Sequence, residues 1–438
     1  MSNKDFSNLP LKAELLSAVE SLGFTQMTPI QERSLPHILN KQDLIAQAAT
    51  GSGKTAAFAL GILSRTDLRN QNIQSLIICP TRELAEQVSK EIKSLARNLP
   101  NFKVLTLCGG KPLRTQVASL EQGVHTAVGT PGRIMDHLSR GTLNMKFLKV
   151  LVLDEADRML DMGFSDTIRD IISKIPKERQ TLLFSATYQD NIKTISRNYQ
   201  YNPIEVRIQS LHNSEKISQT FYKISNDSHR LSVLKSLLSH HNPTSAVIFC
   251  NTKIQCQELV EELQKASYRV LSLHGDLEQR EREEVLLLLA NGTLPILVAT
   301  DVASRGLDIK NLDTVVNFEL PRDPEVYIHR IGRTGRAENS GQTLSLYSAQ
   351  EQRRVDAIAE YQKTTFKFGN IEEITGHKAT QQIAVPTMTT LQIAGGKKNK
   401  ICKGDILGAL TGGQSDVKGV HIGKIDVLVS KICSGKNS

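Results

Sequence analysis

Ala48-Ala49-Thr50-Gly51-Ser52-Gly53-Lys54-Thr55 follows the apolar run DLIAQA and precedes AAFALGIL, a stretch of helical composition. At a strand-to-helix junction, such glycines let backbone N–H groups turn inward around phosphate oxygens. A helix N-terminus adds positive potential, Lys54 reaches the outer phosphates, and Thr55 offers Mg²⁺ a hydroxyl. The strict pattern G-x-x-x-x-G-K-[ST] wants glycine where Ala48 stands, and a plain glycine-rich turn is the competing reading. Further along, the run VLVL ends in Asp154-Glu155-Ala156-Asp157. Acidic side chains at the carboxyl end of a parallel strand face the crevice where such sheets bind ligands. Asp154 suits Mg²⁺, and Glu155 suits orienting and deprotonating an attacking water; an acidic helix cap is the alternative for either alone. The third cluster is His329-Arg330-Ile331-Gly332-Arg333-Thr334-Gly335-Arg336. On a helical turn Arg333 and Arg336 share one face, from which both could meet a γ-phosphate. In isolation this is a basic surface patch; beside a phosphate loop and an acidic pair it points to nucleotide chemistry.

The elements that must carry these residues are legible as short apolar runs. DLIAQA, SLIICP at 75–80, VLVLD at 150–154 and TLLFSAT at 181–187 read as buried parallel strands, and ELAEQVSKEIKSLA at 83–96 reads as an amphipathic helix. Alternating strand and helix predicts a doubly wound α/β sheet. A second series, AVIFCNT at 246–252, VLSLHG at 270–275, ILVATD at 296–301 and TVVNFEL at 314–320, predicts a second such domain, with IQCQELVEELQKA at 254–266 as a crossover helix. Residues 1–209 and 217–370 therefore read as two domains and 371–387 as a polar linker. In 388–438, TTLQIAGG reads as a strand, DILGALTG as a helix, and GVHIGKIDVLVS as a further strand or a bent pair.

The 438 residues allow two or three domains, and 39% hydrophobic with 23% charged residues excludes a wholly disordered chain. No apolar run approaches a membrane span, and Lys4, Asp5, Lys12, Glu14 and Glu20 make the N-terminus unlike a secretory signal. The expectation is an intracellular, cytoplasmic protein without a membrane partner. Cys79, Cys108, Cys250, Cys256, Cys402 and Cys433 show no metal-binding spacing and read as reduced thiols. A net charge of +9 favours a polyanionic partner, and residues 371–438 hold nine Lys against five Asp or Glu.

Taken in order and spacing, these motifs resemble the DEAD-box ATP-dependent RNA helicases over residues 4 to 370. The resemblance implies two tandem RecA-like domains, ATP and Mg²⁺ as cofactors, RNA as partner, and a monomer. Gly23-Phe24-Thr25-Gln26-Met27-Thr28-Pro29-Ile30-Gln31 is similar to the family's adenine-reading motif, with Gln31 on the adenine edge, Phe24 stacked on the ring and Phe6 as an upstream aromatic. The family also has alanine where Ala48 stands. By the same resemblance Ser185-Ala186-Thr187 couples hydrolysis to RNA through Asp157, and Asp308 contacts the ribose. Pro80-Thr81-Arg82-Glu83-Leu84-Ala85, Gly109-Gly110 and Thr130-Pro131-Gly132-Arg133 match its RNA contacts in the first domain, and Gln279, Arg282, Thr300 and Asp301 those in the second. Hydroxyls, arginines and open glycine N–H groups suit backbone recognition without base reading.

The tail resembles the opening of an RNA-recognition domain carried by a bacterial branch of the family, one that docks on a hairpin of large-subunit ribosomal RNA in pre-ribosomal particles. The resemblance fades after Lys424-Ile425-Asp426, so the tail is expected to be a short, truncated α+β unit with an open sheet edge. Lys397, Lys398 and Lys400 would add nonspecific RNA affinity. An ATP-gated RNA clamp, a general RNA remodeller without hairpin preference and a DNA helicase stay open as alternatives.

Overall fold

The computed structural model describes residues 4–48, 51–187, 190–208, 217–301, 312–335, 341–375, 386, 388–393, 399–412, 419, 422–427 and 432–437. The chain divides into two compact units at residues 212/213.

The first unit is built on seven strands: β1 (Leu44–Gln47), β2 (Ser75–Ile78), β3 (Val104–Leu107), β4 (Thr126–Gly129), β5 (Val150–Leu153), β6 (Gln180–Ser185) and β7 (Ile204–Arg207). They form one parallel sheet in the order β3-β4-β2-β5-β6-β1-β7. Its central strands are apolar and buried on both faces, as helices on either side of a parallel sheet demand. One core, with Phe58, Leu60, Val88 and Ile92, covers one face; a second, with Ile134, Met159, Ile168 and Ile171, covers the other. Thr81 caps the helix Arg82–Leu95 by accepting from the Leu84 N–H at 3.3 Å.

The second unit repeats the plan with β8 (Ile217–Lys223), β9 (Ala246–Cys250), β10 (Val270–Leu273), β11 (Ile296–Thr300), β12 (Thr314–Asn317), β13 (Gly341–Tyr347) and β14 (Lys367–Gly369), all parallel, in the order β10-β11-β9-β12-β13-β8-β14. Counted from each sheet's first strand, the two orders are the same. The expected linker begins too early. Ile371–Thr375 is a helix whose Ile374 is buried in this unit's core with Ile371 packed against it, because residues three apart share a helix face.

The tail forms β15 (Met388–Ile393), β16 (Ile422–Val427) and β17 (Ile432–Asn437), an antiparallel sheet in the order β15-β17-β16. The resemblance fades after Asp426, yet a further strand follows: β17 pairs on both sides and is the middle strand. The helix Lys403–Thr411 contributes Ile406 to a small core with Ile425.

Among the described residues, no helix is long and apolar enough to cross a membrane. Cys79, Cys108, Cys250 and Cys256 are buried and unpaired, while Cys402 is exposed. Burial pushes the Cys108 thiol up to about 12 and that of Cys256 to about 11, and raises Cys79 and Cys250 as well. Thiolate is the reactive form. In a Cys433→Ser background, a disulfide reagent at pH 8 is expected to modify one thiol rapidly and the other four only on unfolding. Adding Cys402→Ser should abolish the rapid phase; a second fast thiol would contradict this burial.

Candidate nucleotide site and nucleic-acid interface

Sheet order gathers motifs that lie far apart in sequence. β5 lies beside β6, and β6 beside β1. The carboxyl ends of these three strands therefore bring together the acidic run after Leu153, Ser185-Ala186-Thr187 and the loop after Gln47. Ala48 N–H donates to the Ser185 carbonyl at 3.1 Å, which ties the last two.

The loop has the form that phosphate binding requires. Gly53 lies at φ 95°, in the left-handed region, immediately before the helix Lys54–Arg65. A Cβ there would stand 2.5 Å from Gln31 Nε2, so a side chain would displace the Gln31 amide as well as strain the backbone. Gln31 spans both motifs: its Oε1 accepts from Thr28 N–H at 2.9 Å and its Nε2 donates to the Gly53 carbonyl at 3.1 Å. Phe24 is half-buried against the core, and Phe6 is fully within it. Lys54 is buried and donates to the Ala48 carbonyl at 2.7 Å, folding its ammonium into the loop. Ser52 Oγ is buried without a partner, and Gly51 and Thr55 complete the loop. Ala49 and Thr50 lie outside the described residues.

Asp154 and Glu155 are buried at the end of β5. Burial pushes the Asp154 carboxyl up to about 7, with Lys54 opposing and Glu155 reinforcing the shift. A carboxylate so costly to ionise alone, close enough to Lys54 to feel its charge, fits a divalent cation. Among the described residues no group of three or more His, Cys, Asp or Glu could hold a metal; Mg²⁺ needs only one or two carboxylates when phosphates and waters complete its shell. Glu155 has φ 49° and ψ 51°, a left-handed conformation rare for a residue with a side chain and often held at functional sites. Its Oε2 is ion-paired with buried Arg158, whose Nη2 has no hydrogen-bond partner. Asp157 accepts through Oδ2 from the Ala186 and Thr187 N–H groups, each at 3.1 Å, and Ser185 Oγ accepts from Thr187 N–H at 3.2 Å. The expected coupling set of Asp157, Ser185 and Thr187 is thus physically joined.

The expected nucleic-acid contacts of the first unit also converge. A Cβ on Gly109 would lie 3.0 Å from Arg82 Nη2, so the guanidinium packs directly over that glycine. Gly110 turns the chain at φ 80°. Thr130 precedes the helix Pro131–Ser139, Gly132 is exposed on its first turn, and Arg133 donates to the Lys111 carbonyl at 3.2 Å and to Gln116 Oε1 at 3.0 Å. Thr81 Oγ1 accepts the bond that caps its helix, which leaves its hydroxyl proton to donate elsewhere.

In the second unit, Gln279 and Arg282 are one turn apart on the helix Gln279–Ala290, and Thr300 ends β11. Asp301 departs from a simple contact role: Arg330 grips both its oxygens, at 2.7 and 2.8 Å. Of the shared helical face expected of Arg333 and Arg336, only Arg333 lies among the described residues. The helix Pro324–Ile331 ends at Gly332, and Thr334 bridges to Leu312, drawing Arg333 into a turn. Arg336 and Asp308 lie outside the described residues, as do Lys397 and Lys398; Lys400 is exposed.

Sequence reading missed Arg158, Arg330, Gln116 and His137. Arg158 stands three residues after Glu155, a pairing that helical spacing could have flagged. Arg330 lies within the basic cluster. Gln116 and His137 carry no local motif.

Residues 28–195 match the DEAD/DEAH box helicase family, 229–338 the helicase conserved C-terminal domain, and 390–430 the DbpA RNA binding domain. With this fold and these matches, the chain belongs to the DEAD-box helicases, ATP-dependent enzymes that act on RNA. Within the family it is DbpA-like, being 49% identical to the ATP-dependent RNA helicase DbpA of Escherichia coli over 94% of this chain and 89% of that protein. It is also 42% identical to the DEAD-box ATP-dependent RNA helicase CshA of Geobacillus kaustophilus, over 79% of this chain and 74% of that one. Among solved structures it is similar to Saccharomyces cerevisiae Dbp5 bound to RNA and ADP BeF3, with a TM-score of 0.77, 30% identity, and coverage of 84% of this chain and 96% of that one.

Proposed function

We propose that this helicase separates short RNA duplexes during assembly of the large ribosomal subunit, working as a monomer in the cytoplasm. ATP with Mg²⁺ supplies the phosphoanhydride whose hydrolysis resets the cycle. Gln31 and Phe24 select adenine, the residues from Ala48 to Thr55 cradle the phosphates, and Asp308 holds the ribose. Thr55 and Asp154 would hold the metal, while Glu155 orients and deprotonates water. Arg333 and Arg336 bring positive charge to the γ-phosphate. Asp157, Ser185 and Thr187 relay the nucleotide state to the RNA contacts Thr81, Arg82, Gly109, Gly110, Thr130, Gly132 and Arg133, with Gln279, Arg282 and Thr300 contributed by the second domain. Asp301 acts through Arg330. Bending of the bound strand then costs the duplex its pairing, and hydrolysis releases it.

The observation that carries the coupling is the pair of bonds from Asp157 to Ala186 and Thr187, which joins the metal-side acidic run to Ser185-Ala186-Thr187. The ribosomal assignment rests on the tail's match to the DbpA RNA binding domain, with Lys397, Lys398 and Lys400 adding nonspecific affinity. The test compares a large-subunit ribosomal RNA fragment bearing the expected hairpin with unstructured RNA of equal length, at one salt concentration because phosphate contacts make affinity salt-dependent. Half-maximal ATPase stimulation is expected at far lower concentration of the hairpin fragment, with ATP-dependent release of a labelled strand. Equal stimulation would leave a helicase without this target, and stimulation without strand release would favour the RNA clamp.

A further inference from the structure

Arg133 and the Gly109-Gly110 turn belong to different elements, yet one buried amide holds both. Gln116, on the helix Leu113–Glu121, is 3% exposed and His137, on the helix Pro131–Ser139, is 0% exposed. Gln116 Nε2 donates to the carbonyl of Cys108 at 2.9 Å, the residue immediately before the glycine turn. Gln116 Oε1 faces Arg133 Nη1 at 3.0 Å and His137 Nε2 at 2.9 Å. A guanidinium can only donate, so the atom facing Arg133 must be the amide oxygen. A neutral His137 ring then carries its proton on Nε2, with Nδ1 facing Thr142 Oγ1 at 2.8 Å, a hydroxyl that also lies 3.2 Å from the His137 carbonyl. Burial, reinforced by Arg133 and opposed by Asp136, holds the His137 pKa below its ordinary value, which favours the neutral ring.

We propose that Gln116 and His137 are positioning residues that set the Arg133 guanidinium and the Gly109-Gly110 turn in register for one RNA backbone. This rests on reading Arg133 and that turn as RNA contacts. The pair matters because Arg133 has a competitor nearby. Asp136, whose Oδ1 is held by Arg140 at 2.6 Å, has its Oδ2 3.9 Å from Arg133 Nε on the same helix. Gln116 Oε1 draws the guanidinium away from that carboxylate, and His137 keeps the Gln116 oxygen pointed at it. The Arg133 side chain is 16% exposed, so its rim stays accessible. Loss of the pair frees Arg133 to turn onto Asp136, where its charge is neutralised for a phosphate.

His137→Leu removes a neutral ring and therefore changes no charge. The full chain, saturated with a non-hydrolysable ATP analogue, is titrated against a labelled single-stranded RNA across a salt series. The expected result is RNA affinity weaker by about five- to tenfold. The slope of log affinity against log salt should shrink by about 0.7, the signature of one lost single-strand phosphate contact. Analogue affinity should not change, and His137→Gln, which restores an N–H near the Nε2 position, should recover part of the slope. Gln116→Met is measured alongside with the same expectation, in case His137→Leu fails to fold. Weaker RNA binding with an unchanged slope would mean generic loosening of the domain and overturn the proposal, as would unchanged affinity. Arg133→Ala separates the premises. If it lowers the slope while His137→Leu and Gln116→Met do not, the positioning role alone fails. If Arg133→Ala itself changes neither quantity, the RNA-contact reading of Arg133 fails with it.

Discussion

Glu155→Gln is expected to reduce RNA-stimulated ATP turnover by about 10²- to 10⁴-fold, the range associated with loss of a positioned general base. The substitution preserves the size of the side chain and its hydrogen-bonding reach to Arg158, so the left-handed backbone at φ 49° has little cause to move. What it removes is the capacity to take a proton from water. ATP affinity, which we assign to the loop from Ala48 to Thr55 and to Gln31, should change little. RNA bound with ATP should remain bound, because the step that resets the cycle is blocked. Steady-state hydrolysis and binding of a fluorescent ATP analogue check the two halves separately. Turnover within a few-fold of the parent would remove Glu155 from the chemistry.

Arg330→Met is expected to destabilise the second domain by about 3–5 kcal/mol, the usual consequence of breaking a buried pair from one side. Arg330 is 1% exposed and bonds residues following three adjacent strands. Beyond Asp301, after β11, its Nη2 donates to Asn251 Oδ1 at 2.9 Å, after β9. Its Nη1 donates to Asn317 Oδ1 at 3.1 Å and the Glu319 carbonyl at 2.6 Å, at the end of β12. The guanidinium also lies 5.1 Å from the Phe249 ring centroid. Methionine fills much of the volume but removes the Arg330 bonds from the Asp301 carboxylate, two amide oxygens and a carbonyl. In a urea titration monitored separately for each domain, the second-domain midpoint should fall while the first-domain midpoint holds. Arg330→Lys should recover only part of the loss, since an ammonium cannot reproduce the two-pronged grip on Asp301. A midpoint shift shared by both domains would refute the local account.

Much of the chemistry was legible before any coordinates, because it resides in contiguous motifs. Phosphate cradling needs glycine, lysine and threonine at fixed separations on one turn, and Ala48 to Thr55 supply them within eight consecutive positions. Apolar runs as short as VLVL and AVIFC read as strands buried on both faces. The tail was less legible. β17 follows the point where family resemblance fades, and its central place in the sheet depends on pairing with two strands at once. The end of a helix at Gly332, which sets Arg333 in a turn beyond it, was not legible either.

By itself, the sequence determined two α/β domains, the phosphate loop, the acidic run and the family. It did so because local spacing and apolar patterning act along the chain, where residue order alone expresses them. The shared strand order of the two sheets was decided only in three dimensions, since different side chains can build the same parallel plan and leave no repeat to read. So were the grip of Arg330 on Asp301, the bonds from Asp157 to Ala186 and Thr187, and the Gln116–His137 pair. Each is a hydrogen bond between residues 21 to 30 positions apart, and only packing brings such groups within 3 Å or so of one another.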